Sequence, residues 1–441
     1  MWRGFILVAL VLALTLAPAA VVRATSDPPD LGASISTTPG DESPPITTAL
    51  GADDRWHASP VAITFTASSA VASVTATWVQ VDGGGAVATK SIVVVAPSDH
   101  RNDGIHTLTY WSVDADGRTE APQTLAVKID TAAPVVRDLR LAPTVLRRLA
   151  PIHLNLTLAD ISGSTSASVA VRDQYGFLAH SFVTGTLSAG QQTLRVIPRY
   201  RNGRAFDPGL YHVSLTFIDE AGNRTVARTL SFRDYHPVRA HVTHHVRGAG
   251  RRVALTFDDG GSPWVWTSIL NSLRAYHMHA TFFLLGPYVA AAPAVARRTV
   301  REGHGIGSHG WTHSEMQRQG YAGVRRELLR SEGPWWYAAR ATPVSYFRPP
   351  YGSQNRETVA AAGSLGYSHV VLWDIDPGDW RGYGAGTIAA NTLSHVHSGA
   401  IIGLHVCPAT AAALPAILRG LRARRYESVS LPELFHAAGR R

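Results

Sequence analysis

The chain has 441 residues, more than one hydrophobic core usually organises, so about two to four domains are expected. It is 45% hydrophobic and 17% charged, which excludes a chain that is disordered overall, and its single cysteine excludes an intrachain disulfide. The net charge of +9 favours polyanionic surroundings such as an anionic cell wall, but no nucleic-acid-binding motif is present and no nucleic-acid partner is predicted.

The first residues have the pattern of a secretory signal peptide. A start with one positive charge precedes an apolar run from Phe5 to Leu16, and small residues follow. Residues 1–24 are therefore predicted to be removed, and the protein is expected to be secreted or held at the cell surface. An uncleaved membrane anchor is the alternative, because the apolar segment is almost long enough to span a bilayer. Residues 25–44 are rich in Pro, Ser, Thr and Asp and are interpreted as a linker.

Two consecutive segments, 45–134 and 135–234, show the alternation of apolar and polar residues that is typical of β-strands. Their endings match, because the stretches that begin at Gly104 and Gly209 are each an alternating strand followed by an Asp/Gly turn. Both segments resemble the immunoglobulin-like modules of secreted bacterial proteins. The resemblance implies two all-β sandwiches that act as spacers or bind a cell-wall polymer.

The pattern changes after a polar segment, 235–250, that is interpreted as a second linker. From 251 to 438, short apolar runs alternate with longer amphipathic stretches, which predicts a parallel α/β fold, either a barrel or a doubly wound sheet. Polar clusters follow four of the apolar runs, at the ends that would meet at the mouth of a barrel. These clusters begin at Asp258, Arg348, Asp376 and His405.

Two histidines four residues apart, His309 and His313, can lie on one face of a turn and bind one metal ion. Spacing alone leaves a pair of surface histidines as the alternative. The adjacent Asp258 and Asp259 favour the metal interpretation, because Ser262 is available to cap the following helix in their place. Metal-dependent hydrolysis needs one acid that binds the cation and another that deprotonates water.

Five motifs, in order, resemble those of the polysaccharide deacetylases, the NodB homology domain of carbohydrate esterase family four. They are Thr256-Phe-Asp-Asp-Gly, the His309/His313 pair, Phe347-Arg-Pro-Pro-Tyr-Gly, Asp376-x-x-Asp379-Trp380 and Ile402-Gly-Leu-His405. The resemblance spans about residues 250–436 and implies a distorted (β/α) barrel with a site for a divalent metal, zinc being the expected ion. It also implies removal of acetyl groups from the N-acetylglucosamine units of peptidoglycan, a chitin-like chain or an exopolysaccharide.

The same resemblance implies a role for each polar residue. The expected metal ligands are Asp259, His309 and His313. Asp258 would be the general base for the attacking water, and Arg348 would anchor it. His405 would protonate the departing amine, and Asp379 would keep His405 charged and oriented.

Three further residues are expected to contact the substrate. The backbone N–H of Tyr351 would stabilise the oxyanion, and Trp380 would wall the sugar groove by stacking. The chain departs from the family at Gly403, where a leucine usually lines the acetyl pocket, which implies a roomier pocket unless Ile402 or Leu404 fills the space, and Leu404 is the third residue expected to contact the substrate.

Two alternatives stay open. An O-acetyl esterase acting on acetylated xylan would use the same metal site. A cell-wall adhesion protein with an inactive hydrolase domain would be expected to have lost Asp258 or a metal ligand, and all of these residues are present. In each case the expected partner is a polysaccharide, and a membrane partner is expected only if the N-terminal segment is uncleaved.

Overall fold

The computed structural model describes residues 42–439, so the expected signal peptide and most of the first expected linker lie outside the described residues. The described chain contains several mainly antiparallel β-sheets, followed by a parallel α/β unit. None of the helices in this range is long and apolar enough to cross a membrane. The predicted order, β-rich segments and then an α/β fold, is confirmed.

The first β unit packs a three-stranded sheet, β1-β3-β6, against a five-stranded sheet, β2-β8-β7-β4-β5. Its strands are β1 (Ile46–Leu50), β2 (Trp56–His57), β3 (Val61–Ser68), β4 (Val74–Val81), β5 (Val87–Ala88), β6 (Ser91–Val94), β7 (Gly104–Asp114) and β8 (Gln123–Ile129). The alternation read in the sequence places one face of each strand in the core, as with Val61, Ile63 and Phe65 of β3.

The second β unit has its own core, between a three-stranded sheet, β14-β11-β9, and a six-stranded sheet. The larger sheet has the order β10-β17-β15-β12-β13, with β16 paired to β15. The strands are β9 (Val135–Ala142), β10 (Val145–Leu146), β11 (Ile152–Ala159), β12 (Thr165–Asp173), β13 (Leu178–Val183), β14 (Gly190–Val196), β15 (Gly209–Asp219), β16 (Arg224–Val226) and β17 (Leu230–Asp234). The two matched sequence stretches form β7 and β15, each 11 residues long.

The α/β unit is built on an eight-stranded parallel sheet with the order β18-β23-β22-β21-β20-β19-β24, and β25 paired to β19. Its strands are β18 (His241–Thr243), β19 (Arg252–Asp259), β20 (Thr281–Leu284), β21 (Gly305–Ser308), β22 (Tyr346–Phe347), β23 (His369–Val371), β24 (Ile401–His405) and β25 (Glu427–Ser428). Its helices are α1 (Pro263–Tyr276), α2 (Gly286–Ala291), α3 (Pro293–Arg301), α4 (Gly320–Ala339), α5 (Arg356–Gly363), α6 (Ala385–Ser394), α7 (Pro408–Ala423) and α8 (Leu431–Ala437).

The sheet closes through an irregular segment. The chain that leaves β23 forms a parallel bridge between Ile375 and Ile402 of β24, and the N–H of Gly403 donates to the carbonyl of Ile375 at 3.0 Å. This bridge joins β24 to the other end of the sheet in the way that a distorted barrel requires. The strand ends that carry the polar motifs therefore face one opening.

The segment 235–250 is not the solvated linker that its polar composition predicts. His241–Thr243 forms β18, which pairs in parallel with β23, and Val246 and Ala249 are buried. A strand of three residues is too short to show an alternating pattern. The histidines in this segment also make it polar overall, so its apolar positions do not form a recognisable strand pattern. The α/β unit therefore includes most of this segment.

The second β unit is docked on the α/β unit. The side chain of Gln174 donates to the carbonyl of Thr342 at 2.8 Å and accepts from its N–H at 3.1 Å. The Ser345 hydroxyl donates to the carbonyl of Pro208, and Phe177 stacks on His436 with ring centroids 4.2 Å apart. Since Thr342 and Ser345 precede β22, the docked face is the amino-terminal face of the barrel, opposite the opening.

Candidate metal centre and active-site cleft

A cleft of about 860 Å³ opens where the carboxyl ends of β19, β21 and β24 meet. This volume lies within the range of about 300–1,000 Å³ that is usual for ligand sites. Eight of the ten predicted site residues line the cleft: Asp258, Asp259, His309, His313, Tyr351, Asp379, Trp380 and His405. The other two, Arg348 and Leu404, have no exposed surface.

Three electron-pair donors converge on one side of this cleft. Oδ1 of Asp259 lies 3.1 Å from Nε2 of His309 and 3.0 Å from Nε2 of His313. Nδ1 of His309 lies 2.8 Å from the carbonyl oxygen of Arg348, which can only accept, so Nδ1 carries the proton and Nε2 of the neutral ring presents a lone pair. Oδ1 of Asp259 is buried and receives no hydrogen bond from the residues that the structure describes.

This arrangement fits a divalent cation. A buried carboxylate oxygen without a donor, next to an imidazole lone pair, is unfavourable unless a positive charge lies between them. Burial raises the pKa of the Asp259 carboxyl, but the nearby imidazoles of His309 and His313 lower it well below its usual range, so the carboxyl is ionised. Two imidazoles and one carboxylate suit zinc and leave further coordination positions free. Asp259, His309 and His313 are therefore a candidate metal site.

Three residues of the cleft have a left-handed backbone, with φ of 69° at Asp259, 58° at His313 and 62° at Tyr351. This conformation costs of the order of 1–3 kcal/mol at a residue other than glycine and persists only where surrounding contacts enforce it. At Asp259 one such contact is present, because its carbonyl accepts the N–H of Leu285 at 2.8 Å. Two of these three residues, Asp259 and His313, belong to the candidate metal site.

The loop between the two histidines is held by Glu327 of α4. Oε2 of this buried carboxylate accepts the backbone N–H groups of Trp311 and Thr312, both at 2.8 Å. Charge-assisted hydrogen bonds of this kind are stronger than neutral ones. Glu327 thus holds the loop between His309 and His313 through the backbone of that loop.

Asp258 lies on the floor of the cleft and is held by Arg348. Nη1 of Arg348 donates to Oδ1 of Asp258 and to the hydroxyl of Thr256, both at 2.7 Å. Its other nitrogens donate to the carbonyls of Val371 and Leu372 at 3.1 Å. Burial lowers the pKa of this fully buried guanidinium, although the adjacent carboxylate raises it. The arginine therefore orients Asp258 and balances its charge.

A second ion pair lies across the cleft. Nδ1 of His405 donates to Oδ1 of Asp379 at 2.8 Å, and the backbone N–H of His405 donates to Oδ2 at 2.7 Å. The hydroxyl of Thr410 also donates to Oδ2. Burial alone would lower the pKa of His405, but the hydrogen bond to Asp379 and the charge of Asp258 raise it to about 9. His405 is therefore protonated at neutral pH.

Two exposed aromatic side chains frame the entrance. Tyr351 is 67% exposed, and its hydroxyl lies 2.9 Å from Nδ1 of His313. Trp380 is 60% exposed and stacks under the guanidinium of Arg381 at 4.6 Å. Large exposed aromatic faces beside a cleft are suited to packing against sugar rings.

Leu404 and Gly403 require a correction. Leu404 is fully buried in the core behind β24, because alternate residues of a strand face opposite sides, so its side chain is not available to a substrate. Gly403 does line the cleft, but a Cβ there would lie 3.0 Å from Cγ of Trp373 and 3.1 Å from Cδ2. The indole of Trp373 occupies the space, and the expected roomier pocket is wrong.

Sequence comparison finds relatives of the α/β unit among known proteins. Residues 245–370 match the family described as polysaccharide deacetylase. A chitooligosaccharide deacetylase of Bradyrhizobium sp. (strain ANU 289) is 36% identical over 155 residues, which make up 35% of this chain and 70% of that protein. The chain belongs to the polysaccharide deacetylase family.

Other members of this family match over similar stretches. A peptidoglycan-N-acetylglucosamine deacetylase of Listeria monocytogenes is 33% identical over 186 residues, which are 42% of this chain and 39% of that protein. The chain thus spans less than half the length of this relative. Among solved structures, a family 4 carbohydrate esterase from Streptomyces lividans in complex with acetate is 34% identical. The match covers 41% of this chain and 92% of the esterase, with a TM-score of 0.38.

Several contributors to the deacetylase-family site could not be found from the sequence. Thr410 and Glu327 each hold a predicted site residue or its loop, and Trp373 fills the place of a family leucine. Each acts through a contact with residues far away in the chain. These residues lie beside the motif residues in the folded protein but not in the sequence, so no motif or spacing in the sequence indicates them.

Proposed function

We propose that the chain is an extracytoplasmic, zinc-dependent deacetylase that hydrolyses acetamide groups on the N-acetylglucosamine units of a polysaccharide. The observation that carries this proposal is that one cleft brings together the Asp258 carboxyl paired with Arg348, a protonated His405 and the Asp259/His309/His313 donor set. The names of the Listeria and Bradyrhizobium relatives, which refer to peptidoglycan and chitooligosaccharides, support the substrate class.

The donor set would hold the metal against the reacting centre. When bound, a zinc ion supplies Lewis acidity, which makes a neighbouring water more acidic and an amide carbonyl more electrophilic. The task of Asp259, His309 and His313 is to fix the position of that ion. His309 is oriented by its hydrogen bond to the Arg348 carbonyl, an arrangement that typically strengthens metal binding.

Asp258 is the group that takes the proton from the attacking water. Its carboxylate faces the cleft beside the donor set, and Arg348 prevents it from turning away. The water oxygen forms a bond to the carbonyl carbon as the proton passes to Asp258. The resulting oxyanion would be stabilised by the backbone N–H of Tyr351 in addition to the cation.

His405 completes the reaction on the other side of the cleft. Because Asp379 keeps it protonated, it donates a proton to the amide nitrogen, and the carbon–nitrogen bond breaks. The products are acetate and a free amine on the sugar. The proton held by Asp258 passes to His405, directly or by exchange of protons with solvent, so each turnover consumes one water and regenerates both groups.

The two β units are proposed to be immunoglobulin-like modules that space the enzyme from the wall or bind a wall polymer. Their separate cores, opposed sheets and matched β7 and β15 strands support this assignment. The second β unit contacts the side of the barrel opposite the cleft, which leaves the entrance open to a long polymer.

Product analysis by mass spectrometry tests the proposal. The zinc-loaded full chain would be incubated separately with peptidoglycan fragments, chitooligosaccharides and acetylated xylan, with Asp258→Asn as the control. We expect free amines on the N-acetylglucosamine polymers and no product with the variant. Acetate release from xylan alone would identify an O-acetyl esterase. No acetate from any substrate, with zinc bound, would identify an inactive wall-binding protein.

A further inference from the structure

A second group of carboxylates lies at the junction of the two β units. Asp130 follows β8 of the first unit, Asp160 follows β11 of the second, and Asp219 ends β15. One carboxylate oxygen from each lies within 4.8 Å of the other two. No residue of this group belongs to the cleft, and the group joins segments from both β units.

Two of these carboxylates present buried oxygens that have no partner. Asp130 is 0% exposed and Asp219 is 6% exposed, and Oδ2 of each is buried without a hydrogen bond among the described residues. The other oxygen of each is fixed by its turn. Oδ1 of Asp130 accepts the N–H of Ala132 at 3.1 Å, and Oδ1 of Asp219 accepts the N–H of Asn223 at 2.8 Å. The free oxygens are therefore held in place rather than able to rotate toward solvent.

The first β unit shows how the same turn is neutralised by the chain itself. Asp114 occupies the position of Asp219, since the N–H of Asp114 donates to the carbonyl of Arg118 as that of Asp219 does to Asn223. In the first unit, Nη1 of Arg118 lies 3.2 Å from Oδ2 of Asp114. In the second unit this arginine is replaced by Asn223, whose amide donates instead to the carbonyl of Asp130 at 2.8 Å. The second turn thus lacks the cation that the first one has.

The charges of Asp160 and Asp219 also make an ionised Asp130 electrostatically unfavourable. Burial, together with the charges of Asp160 and Asp219, raises the pKa of Asp130 to about 7. Burial likewise raises the pKa of Asp219. Like charges this close are unfavourable unless a positive charge is shared among them.

We propose that Asp130, Asp160 and Asp219 bind a calcium ion that ties the two β units together. All three donors are carboxylate oxygens, which are the ligands that calcium prefers, and the group includes no imidazole or thiolate that would favour zinc. Calcium accepts about six to eight oxygen ligands in flexible geometry, so backbone carbonyls and water complete the shell. The ion would fix the first β unit on the second, and this role is separate from the metal of the cleft.

Calcium binding by the full chain tests this proposal. The protein would be freed of calcium, saturated with zinc at the cleft and titrated with calcium chloride by calorimetry and thermal unfolding. We expect one calcium ion per chain. We also expect the first unfolding transition to rise by roughly 5–10 °C once calcium exceeds its dissociation constant about a hundredfold. No binding at millimolar calcium, the weak limit of about 10⁻³ M for extracellular modules, would overturn the proposal.

Matched variants identify the ligands. Asp160→Asn removes the negative charge of a partly exposed ligand and should weaken calcium binding at least tenfold. Glu220→Gln removes the same charge from an exposed position beside Asp219 and should leave calcium binding unchanged. Equal binding by wild type and Asp160→Asn would contradict the assignment.

Asn223→Arg supplies a second test that does not depend on losing a ligand. It copies into the second turn the arginine that neutralises Asp114 in the first. We expect this variant to unfold at a higher temperature than wild type in calcium-free buffer and to lose the calcium-dependent shift. A wild-type calcium response in folded Asn223→Arg protein would show that calcium binds elsewhere.

Discussion

At the scale of single residues, the two adjacent aspartates are expected to have different roles because their side chains have different partners. Asp258 is paired with the buried Arg348, whereas Asp259 faces two imidazoles. The substitution Asp259→Asn should therefore lose the metal, and Asp258→Asn should keep it while losing at least about a hundredfold in kcat, the low end for general base catalysis. Metal content by atomic emission, together with kcat, checks both. The reverse pattern of metal retention would mean that the roles are exchanged.

The pair of His405 and Asp379 predicts the direction of a pH effect. Against the effect of burial, the hydrogen bond to Asp379 and the charge of Asp258 raise the pKa of His405 to about 9, and the protonated form is the acid that the reaction needs. Activity should therefore fall as the pH rises through the alkaline limb of the kcat/KM profile, and Asp379→Asn should move that limb to lower pH. Asp376→Asn is the control, since Asp376 contacts Gly378 and Trp380 rather than His405.

The same pKa shift has a consequence for stability. Because the pKa of His405 is raised on folding from 6.5 to about 9, the pair stabilises the fold fully below pH 6.5 and loses this contribution as the pH rises through 9. In Asp379→Asn the free energy of unfolding should depend less on pH across this window. If Asp379→Asn has the same alkaline limb in its kcat/KM profile and the same pH dependence of stability as wild type, then Asp379 does not set the pKa of His405.

Trp373 is expected to set the size of the acyl pocket. Its indole lies against Gly403, so Gly403→Leu should clash with the ring rather than sharpen acetyl preference. Trp373→Ala should instead open the pocket and raise the propionyl-to-acetyl ratio of kcat/KM, by up to about fourfold for the added methylene. The ratio would be measured on glucosamine oligomers bearing each acyl group. An unchanged ratio in a folded, active variant would place the acyl group elsewhere.

At the scale of elements, α4 supports the metal site through one carboxylate. Glu327 accepts two backbone hydrogen bonds from the loop that carries His313, so Glu327→Gln should weaken these bonds and lower metal affinity by roughly 10–100-fold. Because the residue positions a ligand and does not touch the reacting atoms, excess zinc should restore kcat and the pH profile should stay unchanged. Glu315→Gln, on the exposed side of the same loop, is the control. Loss of kcat that zinc does not rescue would contradict this role.

Elements with a regular pattern and local end signals were predictable from the sequence. Ser262 caps α1, with Pro263 at its first position, and β7 and β15 follow the alternation of their residues. β18 was not predictable, because its three residues become a strand only by pairing with β23. The five motifs located the polar residues of the cleft, whereas Trp373 and the aspartates at the junction depend on contacts between distant segments.

At the scale of the whole molecule, the second β unit supports the barrel without reaching the cleft. Its contacts, such as those of Gln174 with Thr342, lie on the amino-terminal face. A fragment of residues 236–441 should therefore deacetylate small oligosaccharides at close to the full rate but unfold at a lower temperature, because it exposes the docked surface. A fragment of residues 135–441 should recover the lost stability.

Kinetics on soluble chitooligosaccharides and thermal unfolding of both fragments check this expectation. If the shorter fragment is folded but slow, the second β unit contributes to the active site. If it fails to fold while the longer one succeeds, the second β unit belongs to the catalytic core.

The packing of Trp373 against Gly403 has a consequence for how this pocket can change during evolution. Positions 373 and 403 lie on neighbouring segments of the barrel wall and share one volume, since even a methyl group at 403 would press on the indole of Trp373. In a relative that has leucine at position 403, a tryptophan at position 373 would overpack the pocket. Position 403 must therefore become small first, or the protein passes through an overpacked intermediate. The order of the two substitutions is therefore constrained, and the pocket is inherited as a pair of positions rather than as one.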